Sequence, residues 1–196
     1  MKTDVFELSQ STQNLEGILT ETEKAAQYGG LDSKQTIRLR LLAEELIGML
    51  PEMLEYCSGK FWVECNKKDY ELHVEVELDD IFAADREKLM SVSKSGKNIA
   101  AKGIMGKIRA AAEMMFVEYM TLPVEYQTDF YSMGMAMDPF DYASMWTLSQ
   151  YRTVAEEKDE DKWDELEKSI IANLADDVMV GIKGRKVDII VKKSFD

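Results

Sequence analysis

Two adjacent glutamates, Glu44 and Glu45, lie in a stretch whose apolar residues recur at the spacing of an amphipathic helix. A carboxylate held on a helix can accept a proton from an attacking water and so serve as a general base. A second acid pair, Asp79 and Asp80, ends a stretch of alternating apolar and polar residues, which is typical of a strand. The sequence therefore offers carboxylates at two places, one on a helix and one at the end of a strand.

Basic residues and glycines are concentrated between Lys94 and Lys107, although the whole chain carries a net charge of -13. This segment closes in Gly-Ile-Met-Gly-Lys at positions 103–107, directly before apolar residues at helical spacing. The first backbone N–H groups of a helix have no partner within the helix, so a glycine-containing helix start can bind an anion. We therefore expect a phosphate-like anion to be steered here, and the alternative is a solvated lysine-rich loop.

The acid pairs and the basic loop can act on one ligand only if the elements of the fold bring them together. In chain order the periodicity predicts a strand, two helices, a hairpin, a third helix, an acidic amphipathic helix and a final hairpin. Their expected positions are Val5–Leu8, Leu15–Ala26, Leu39–Leu54, Phe61–Leu78, Gly106–Tyr119, Trp163–Val178 and Val178–Val191. Gly29 and Gly30 are expected to end the first helix, and Asp32 or Ser33 to cap the second.

The alternation in the first hairpin separates two faces of the predicted sheet. Phe61, Val63 and Cys65 fall on one face, and glutamates fall on the other together with His73, the only histidine of the chain. We expect one buried face and one wet face, with His73 facing solvent. A catalytic histidine is the alternative, but no serine or cysteine nucleophile motif accompanies His73.

Helices with a single apolar stripe must bury that stripe against another layer. We therefore predict an α+β two-layer sandwich, with helices on one face of a mixed, mostly antiparallel sheet that contains both hairpins. Residues 1–196 are expected to form one domain, with residues 120–160 as a helical insertion within it.

The stretch from Gly30 through Glu45, followed by the hairpin that ends at Asp79, resembles the GHKL (Bergerat-fold) ATPases, and most closely their anti-sigma-factor serine kinase branch. In that branch a glycine-leucine-acid link leads into a helix with the pattern Leu-x-Leu-x-x-x-Glu-x-x-x-Asn. A hairpin ending in Asp-x-Gly, a lid, a glycine-rich helix start and a final hairpin follow. The resemblance covers most of the chain apart from residues 120–160, and it implies a histidine-kinase-ATPase-like fold.

The resemblance implies a role for each candidate residue. Glu45 takes the position of the glutamate that orients the attacking water, and Asp79 or Asp80 that of the aspartate that accepts from the adenine amino group. The glycines and positive charges that would bind the phosphates correspond to Lys97, Lys102, Gly103, Gly106 and Lys107. The ligand implied is ATP or ADP.

The chain departs from the family pattern at the residue that holds magnesium. Four residues after Glu45, where the family has asparagine, stands Met49, and if Glu44 is aligned instead the partner is Gly48. Neither offers the oxygen ligand that this hard cation prefers. The glycines after the aspartate are also missing, since Ile81–Ala83 follows. We therefore expect weak or absent magnesium-dependent hydrolysis, with Glu44 and Met49 still lining the nucleotide site.

Two functions of different class follow from these features. The first is an ATP-binding regulator that resembles an anti-sigma-factor serine kinase, holds a sigma-like partner, and uses Glu45 as its base if it is active. The second is a pseudo-ATPase that keeps the scaffold, binds no nucleotide and acts through a protein-binding surface. The missing asparagine argues against catalysis and so favours the second function. The basic loop retains nucleotide binding as an alternative.

Composition limits the partners and the compartment. A net charge of -13 argues against nucleic acid as a partner. No apolar run is long enough for a bilayer, and residues 1–4 carry no apolar signal core, so we expect a cytoplasmic protein without a membrane partner. Cys57 and Cys65 are expected to be free thiols rather than a disulfide or a metal site.

Aromatic residues and methionines are concentrated between Thr121 and Tyr151, where Gly134 and Pro139 favour short helices and loops. These side chains either fold back as a small second core or form an exposed apolar patch. Such a patch usually marks a partner surface, and a second copy of the chain is the simplest partner. We therefore expect a homodimer, or a docking site for another protein, built partly from this segment.

Overall fold

The structure is a computed structural model, and it describes residues 1–9, 14–50, 57–78, 103–121, 144–158, 169–183 and 186–196. Over these residues the elements are, in chain order, β1 (Phe6–Leu8), α1 (Leu15–Tyr28), α2 (Ser33–Gly48), β2 (Cys57–Asn66), β3 (Asp69–Leu78), α3 (Gly103–Thr121), β4 (Ser144–Thr147), α4 (Leu148–Lys158), α5 (Ile170–Leu174), β5 (Asp177–Lys183) and β6 (Lys186–Ser194). The fold belongs to the α+β class, as predicted.

The described strands form one six-stranded sheet in the order β1-β2-β3-β6-β5-β4, and each pair of neighbours is antiparallel. β2 and β3 form one hairpin, and β5 and β6 form the other. The two hairpins meet where β3 pairs with β6, with Leu72 opposite Val191. The prediction that both hairpins lie in one mostly antiparallel sheet is confirmed.

The inner face of the sheet carries the core. Phe61, Val74, Ile189 and Val180 lie side by side on β2, β3, β6 and β5, and all four are buried. Buried residues of α1, α2, α3 and α5 join this face in one hydrophobic cluster. Each fully buried aliphatic or aromatic side chain contributes about 1.5–3 kcal/mol, so the cluster is what holds α2 in place relative to the sheet.

Local sequence sets the boundary between α1 and α2. Gly30 follows α1 with a φ of 77°, a left-handed conformation that glycine adopts without a Cβ clash. The Asp32 side chain accepts from the Gln35 backbone N–H, and the Gln35 side chain accepts from the Asp32 backbone N–H. This capping box satisfies two N–H groups at the start of α2. The predicted stop and cap are both confirmed.

β2 begins earlier than the alternation predicts. The stretch Cys57–Gly59, which precedes the predicted start at Phe61, pairs with the end of β3. Pairing within the sheet overrides the low strand propensity of Gly59, which has strands on both sides. The hairpin turn occupies Lys67 and Lys68, within the predicted hairpin Phe61–Leu78.

The second half of the chain differs from the sequence expectation in two places. Within the segment predicted to hold short helices and loops, β4 adds a strand beside β5. In the described part of the predicted helix Trp163–Val178, only α5 is helical, because Val178 lies in β5 and is buried opposite Val191. Val178 fits both periodicities, and burial within the sheet decides between them. None of the described helices combines the length and apolarity needed to cross a membrane.

Candidate functional site

Glu45 lies on α2 with a half-buried side chain. Its carboxylate accepts a hydrogen bond from the backbone of Ile171, in the first turn of α5. Its Oε2 is enclosed and has no hydrogen-bond partner among the described residues. Burial raises the pKa of Glu45, and the bond from Ile171 opposes that shift. A carboxyl with a raised pKa and one unpartnered oxygen is suited to accept a proton, although it also holds the start of α5.

The start of α5 has a second cap of its own. Ser169 Oγ accepts from the Ala172 backbone N–H at 3.3 Å. A helix of five residues is too short to be stable by itself, so α5 depends on these caps and on its contact with α2. The bond from Ile171 to Glu45 was not predicted from the sequence. Ser169 carries an N-cap signal, but nothing in the sequence indicates that α2 supplies the second acceptor.

The other candidates at the end of α2 differ in their surroundings. Glu44 is exposed to solvent. Met49 directly follows α2, and its partly buried side chain packs against the hydrophobic cluster. Adjacent residues of a helix do not share a face, so Glu45 is the member of the acid pair that reaches the interior. Met49 contributes packing at the position that the resemblance to the GHKL ATPases aligns with a magnesium ligand.

α3 begins at Gly103, three residues before the predicted start at Gly106. Gly103, Gly106 and Lys107 therefore lie within its first five residues, and its first turn contains no acidic residue. Ile104 and Ile108 are fully buried and pack this end of α3 against the core, whereas Gly106 and Lys107 are half-buried. The N–H groups that have no partner within the helix and the positive end of the helix dipole make such a start able to bind an anion.

The structure relates α2 and α3 through a common neighbour. Both helices contact α5, and α3 also packs against β5 and β6. The helix that carries Glu45 and the helix that starts at Gly103 therefore adjoin the same short element. The remaining predicted site residues, Asp79, Asp80, Lys97 and Lys102, lie outside the described residues.

A groove of about 540 Å³ lies elsewhere, around the β2–β3 turn and residues 1 and 2. Its charged lining consists of the Met1 ammonium group, Lys2, Glu64, Asp69 and Glu71, which is net negative and unfavourable for a phosphate-bearing ligand. Glu64 and Glu71 point to the outer face of the sheet, opposite the hydrophobic cluster. Cys65 also lines the groove, and its buried thiol is free, as predicted.

His73 lies on the outer face, as predicted, but the prediction that it faces solvent is wrong. Its side chain is only 14% exposed. His73 lies directly opposite Trp62 on β2, and their rings stack with centroids 4.9 Å apart. The alternation along β2 already places Trp62 on the outer face. The sequence therefore contained the signal for an aromatic side chain beside His73.

No group of three or more histidine, cysteine, aspartate or glutamate side chains within the described residues is arranged to hold a metal ion. A scan against protein-family models finds no match to this chain, and a search of curated proteins also finds none.

Proposed function

We propose that this chain is an ATP-binding regulatory protein that resembles the anti-sigma-factor serine kinases and whose ATP hydrolysis is weak or lost. The observation that carries the proposal is the start of α3, where the N–H groups of Gly103 and the next two residues have no partner within the helix, Lys107 adds a positive charge, and the first turn holds no acidic residue. That arrangement favours the phosphates of ATP or ADP. Its partner would be a sigma-like factor or another regulator.

The packing of Met49 supports the loss of hydrolysis. Its thioether lies against the hydrophobic cluster, and a soft sulfur ligand does not replace the oxygen that magnesium requires. Without the metal, negative charge on the transferring phosphate lacks its main stabilisation. Nucleotide would then act as a ligand that sets the state of the protein rather than as a substrate.

Thermal unfolding of the full chain with ATP and ADP, each with and without Mg²⁺, tests nucleotide binding. A ligand at about a hundredfold excess over its Kd stabilises the native state by about 2.7 kcal/mol. We expect both nucleotides to raise the Tm, with little added by Mg²⁺. Lys107→Ala should reduce the rise, and the matched control Lys34→Ala, an exposed lysine at the start of α2, should retain it.

Phosphate release under the same conditions tests the loss of hydrolysis. We expect a rate near background in the wild type. Glu45→Gln should remove any residual turnover while leaving nucleotide binding nearly intact, because glutamine keeps the shape of the side chain but cannot take a proton. Robust turnover that Glu45→Gln abolishes would show an active ATPase instead.

The second candidate function is a pseudo-ATPase that binds no nucleotide and acts as a protein-interaction module. It is favoured by the contacts of Glu45 and Met49, since the carboxylate holds α5 and the thioether packs on the core. Both residues thus contribute to the scaffold. Absence of any Tm rise with ATP or ADP, in a protein that unfolds cooperatively, would select this function over the first.

A further inference from the structure

The outer face of the sheet carries a row of close-packed side chains that no part of the proposed nucleotide site uses. Trp62, His73 and Ile190 lie side by side on β2, β3 and β6. The rings of Trp62 and His73 are nearly parallel, with 3° between their planes. Ile190 is only 4% exposed and does not belong to the inner hydrophobic cluster. His73 is therefore held between an indole and an aliphatic side chain.

The acidic neighbours of His73 already have lysine partners. Glu71 Oε2 lies 3.4 Å from His73 Nε2, and its Oε1 lies 3.5 Å from Lys192 Nζ. Glu64 Oε1 lies 3.3 Å from Lys2 Nζ and accepts from Trp62 Nε1 at 2.8 Å. The other charged residues facing His73 from β2, β3 and β6 are Lys60, Glu75 with its partner Lys186, and Asp188.

His73 Nε2 is enclosed and makes no hydrogen bond of good geometry among the described residues. A neutral imidazole fits these surroundings, because the two nearest carboxylates are each balanced by a lysine. An imidazolium would add a positive charge, and it would have to share a carboxylate that is already paired with a lysine.

Of these two lysines, Lys2 is the one that an imidazolium at His73 would displace more easily. Its Nζ lies 4.2 Å from the centre of the Trp62 ring, so one indole contacts both the Lys2 ammonium and the His73 ring. The Lys2 side chain is 49% exposed, and its ion pair with Glu64 is of the kind that contributes about 0.2–1 kcal/mol. Lys192, by contrast, belongs to a central strand that is paired on both sides.

Residues 1–4 precede β1 and lie along β2, and we call them the edge segment. Thr3 N–H donates to Val63 O, and Val63 N–H donates to Thr3 Oγ1, both at 2.9 Å. Cys65 N–H donates to Met1 O at 2.8 Å. The N–H groups of Val63 and Cys65 therefore report directly on whether the edge segment is in place.

We propose that protonation of His73 is a switch that releases the edge segment from β2. The imidazolium competes with Lys2 for Glu64 and for the Trp62 ring, and the two cations repel each other. Coupling between two sites is reciprocal, so a lysine that disfavours the proton on His73 is itself disfavoured once the proton binds. Release uncovers the backbone groups of Val63 and Cys65 at the edge of the sheet, where another chain can pair.

The direction of the pKa shift of His73 fits this switch. Burial lowers its pKa below the ordinary 6.5, the charges of Glu64 and Glu71 oppose the shift, and the charge of Lys2 adds to it. Because release removes the Lys2 charge, the native state binds this proton less readily than the released state does. The edge segment is held fully above the pKa that His73 has in the released state, and it is lost progressively as the pH falls below that pKa.

Amide hydrogen exchange, followed by NMR on the full chain, tests the switch. We expect the protection factors of Val63 and Cys65 to fall by about fivefold or more, the lower end of ordinary coupling, between about pH 7.5 and about pH 5. Leu72, in the middle of the sheet, is the internal control and should keep its protection. In His73→Gln, which carries no charge at either pH, Val63 and Cys65 should lose little protection on acidification.

Three outcomes would overturn the proposal. The first is unchanged protection of Val63 and Cys65 in the wild type, and the second is the same loss in His73→Gln. The third is an equal loss at Leu72, which would mean that the whole sheet opens.

Titration of the single histidine signal gives an independent readout. Lys2→Gln should raise the pKa of His73 and reduce the acid-dependent loss of protection, because the competing cation is gone. The matched control Lys24→Gln removes a lysine from α1 that pairs with Glu21, and it should leave the titration unchanged. Equal titration curves for Lys2→Gln and the wild type would contradict the coupling on which the switch depends.

Discussion

At the scale of single residues, Glu45 combines a structural contact with the properties that its proposed role as a base would require. Its bond from Ile171 supports the start of α5, while its enclosed Oε2 and its raised pKa are those of a proton acceptor. A raised pKa in an acid means that the folded protein holds the proton more readily than the unfolded chain does. The charged carboxylate therefore opposes folding at neutral pH, and the opposition disappears in acid, below the ordinary pKa.

Two substitutions at Glu45 separate these effects. Glu45→Gln keeps an acceptor for Ile171 and removes the buried charge, so we expect equal or higher stability at neutral pH and no difference in acid. Glu45→Ala leaves the Ile171 N–H without its acceptor and should cost about 1–3 kcal/mol. Urea unfolding at several pH values measures both, with Glu44→Gln on the exposed side of α2 as the control. Equal losses for Gln and Ala would contradict the account of the hydrogen bond.

Met49 gives the second prediction at this scale. Met49→Asn restores the oxygen that the resemblance calls for, four residues after Glu45. We expect nucleotide affinity to become dependent on Mg²⁺ in this variant, as measured by calorimetric titration with and without the ion. Loss of the packed thioether should also lower stability, and Met49→Gln controls for a polar amide placed one methylene further out. Nucleotide binding that Mg²⁺ leaves unchanged in Met49→Asn would count against the proposed alignment.

At the scale of elements, three glycines near α1 and α2 serve different purposes. A Cβ at Gly29 would lie 1.8 Å from Tyr70 Oη and 3.2 Å from Lys67 O, so this position permits the close approach of α1 to the first hairpin. Gly30 has open space around it, but its φ of 77° disfavours a side chain. Gly48, the last residue of α2, has neither restriction.

Alanine at the three positions should therefore give three different results. Gly29→Ala displaces the buried Tyr70 ring and should cost about 1–3 kcal/mol, the usual range for overpacking. Gly30→Ala should cost about 1–2 kcal/mol for the left-handed backbone alone. Gly48→Ala should stabilise the chain by about 0.4–1 kcal/mol, because it restricts the unfolded state without a clash. Equal effects at all three positions, measured by urea unfolding, would contradict these assignments.

Sequence patterns predicted elements well where one signal was strong over many residues. The alternation of the first hairpin and the capping signal at Asp32 or Ser33 both predicted observed features, with Asp32 as the cap. β4 was missed because four residues carry too little alternation to be recognised, and Val178 was assigned to a helix as well as to a strand because it fits both patterns. At the candidate site, the sequence placed Glu45 on a helix, but the contact with Ile171 depends on tertiary packing that no local pattern encodes.

At the scale of the whole molecule, the sheet separates two environments. The inner face joins the helices in one hydrophobic cluster, and the start of α3 adjoins it through Ile104 and Ile108. The outer face combines lysine–glutamate pairs with the Trp62–His73 stack. A ligand at α3 and a proton at His73 would therefore act on opposite sides of the sheet, so the two proposals can be tested separately in one protein.

The segment Thr121–Tyr151 raises the question of self-association. Most of it lies outside the described residues, but its end forms β4, where Met145 is 44% exposed and Trp146 packs on the hydrophobic cluster. Removal of all residues from Pro123 to Gln150 would also remove β4 and the fully buried Leu148. Deletion of residues 123–143 keeps both, and it is the cleaner test of a partner surface.

We predict that the intact chain is a homodimer and that this deletion makes it monomeric, because methionine and aromatic side chains bury large areas at interfaces. Met145→Lys should weaken the dimer by placing a charge on the exposed part of β4. Met114→Lys is the matched control, since Met114 is also exposed but lies on α3. Sedimentation velocity over a range of concentrations measures the association, and circular dichroism checks that each variant is folded. If the wild type, the deletion and Met145→Lys all sediment as folded monomers and bind any protein partner equally, the segment has no binding role and its apolar side chains form a small second core.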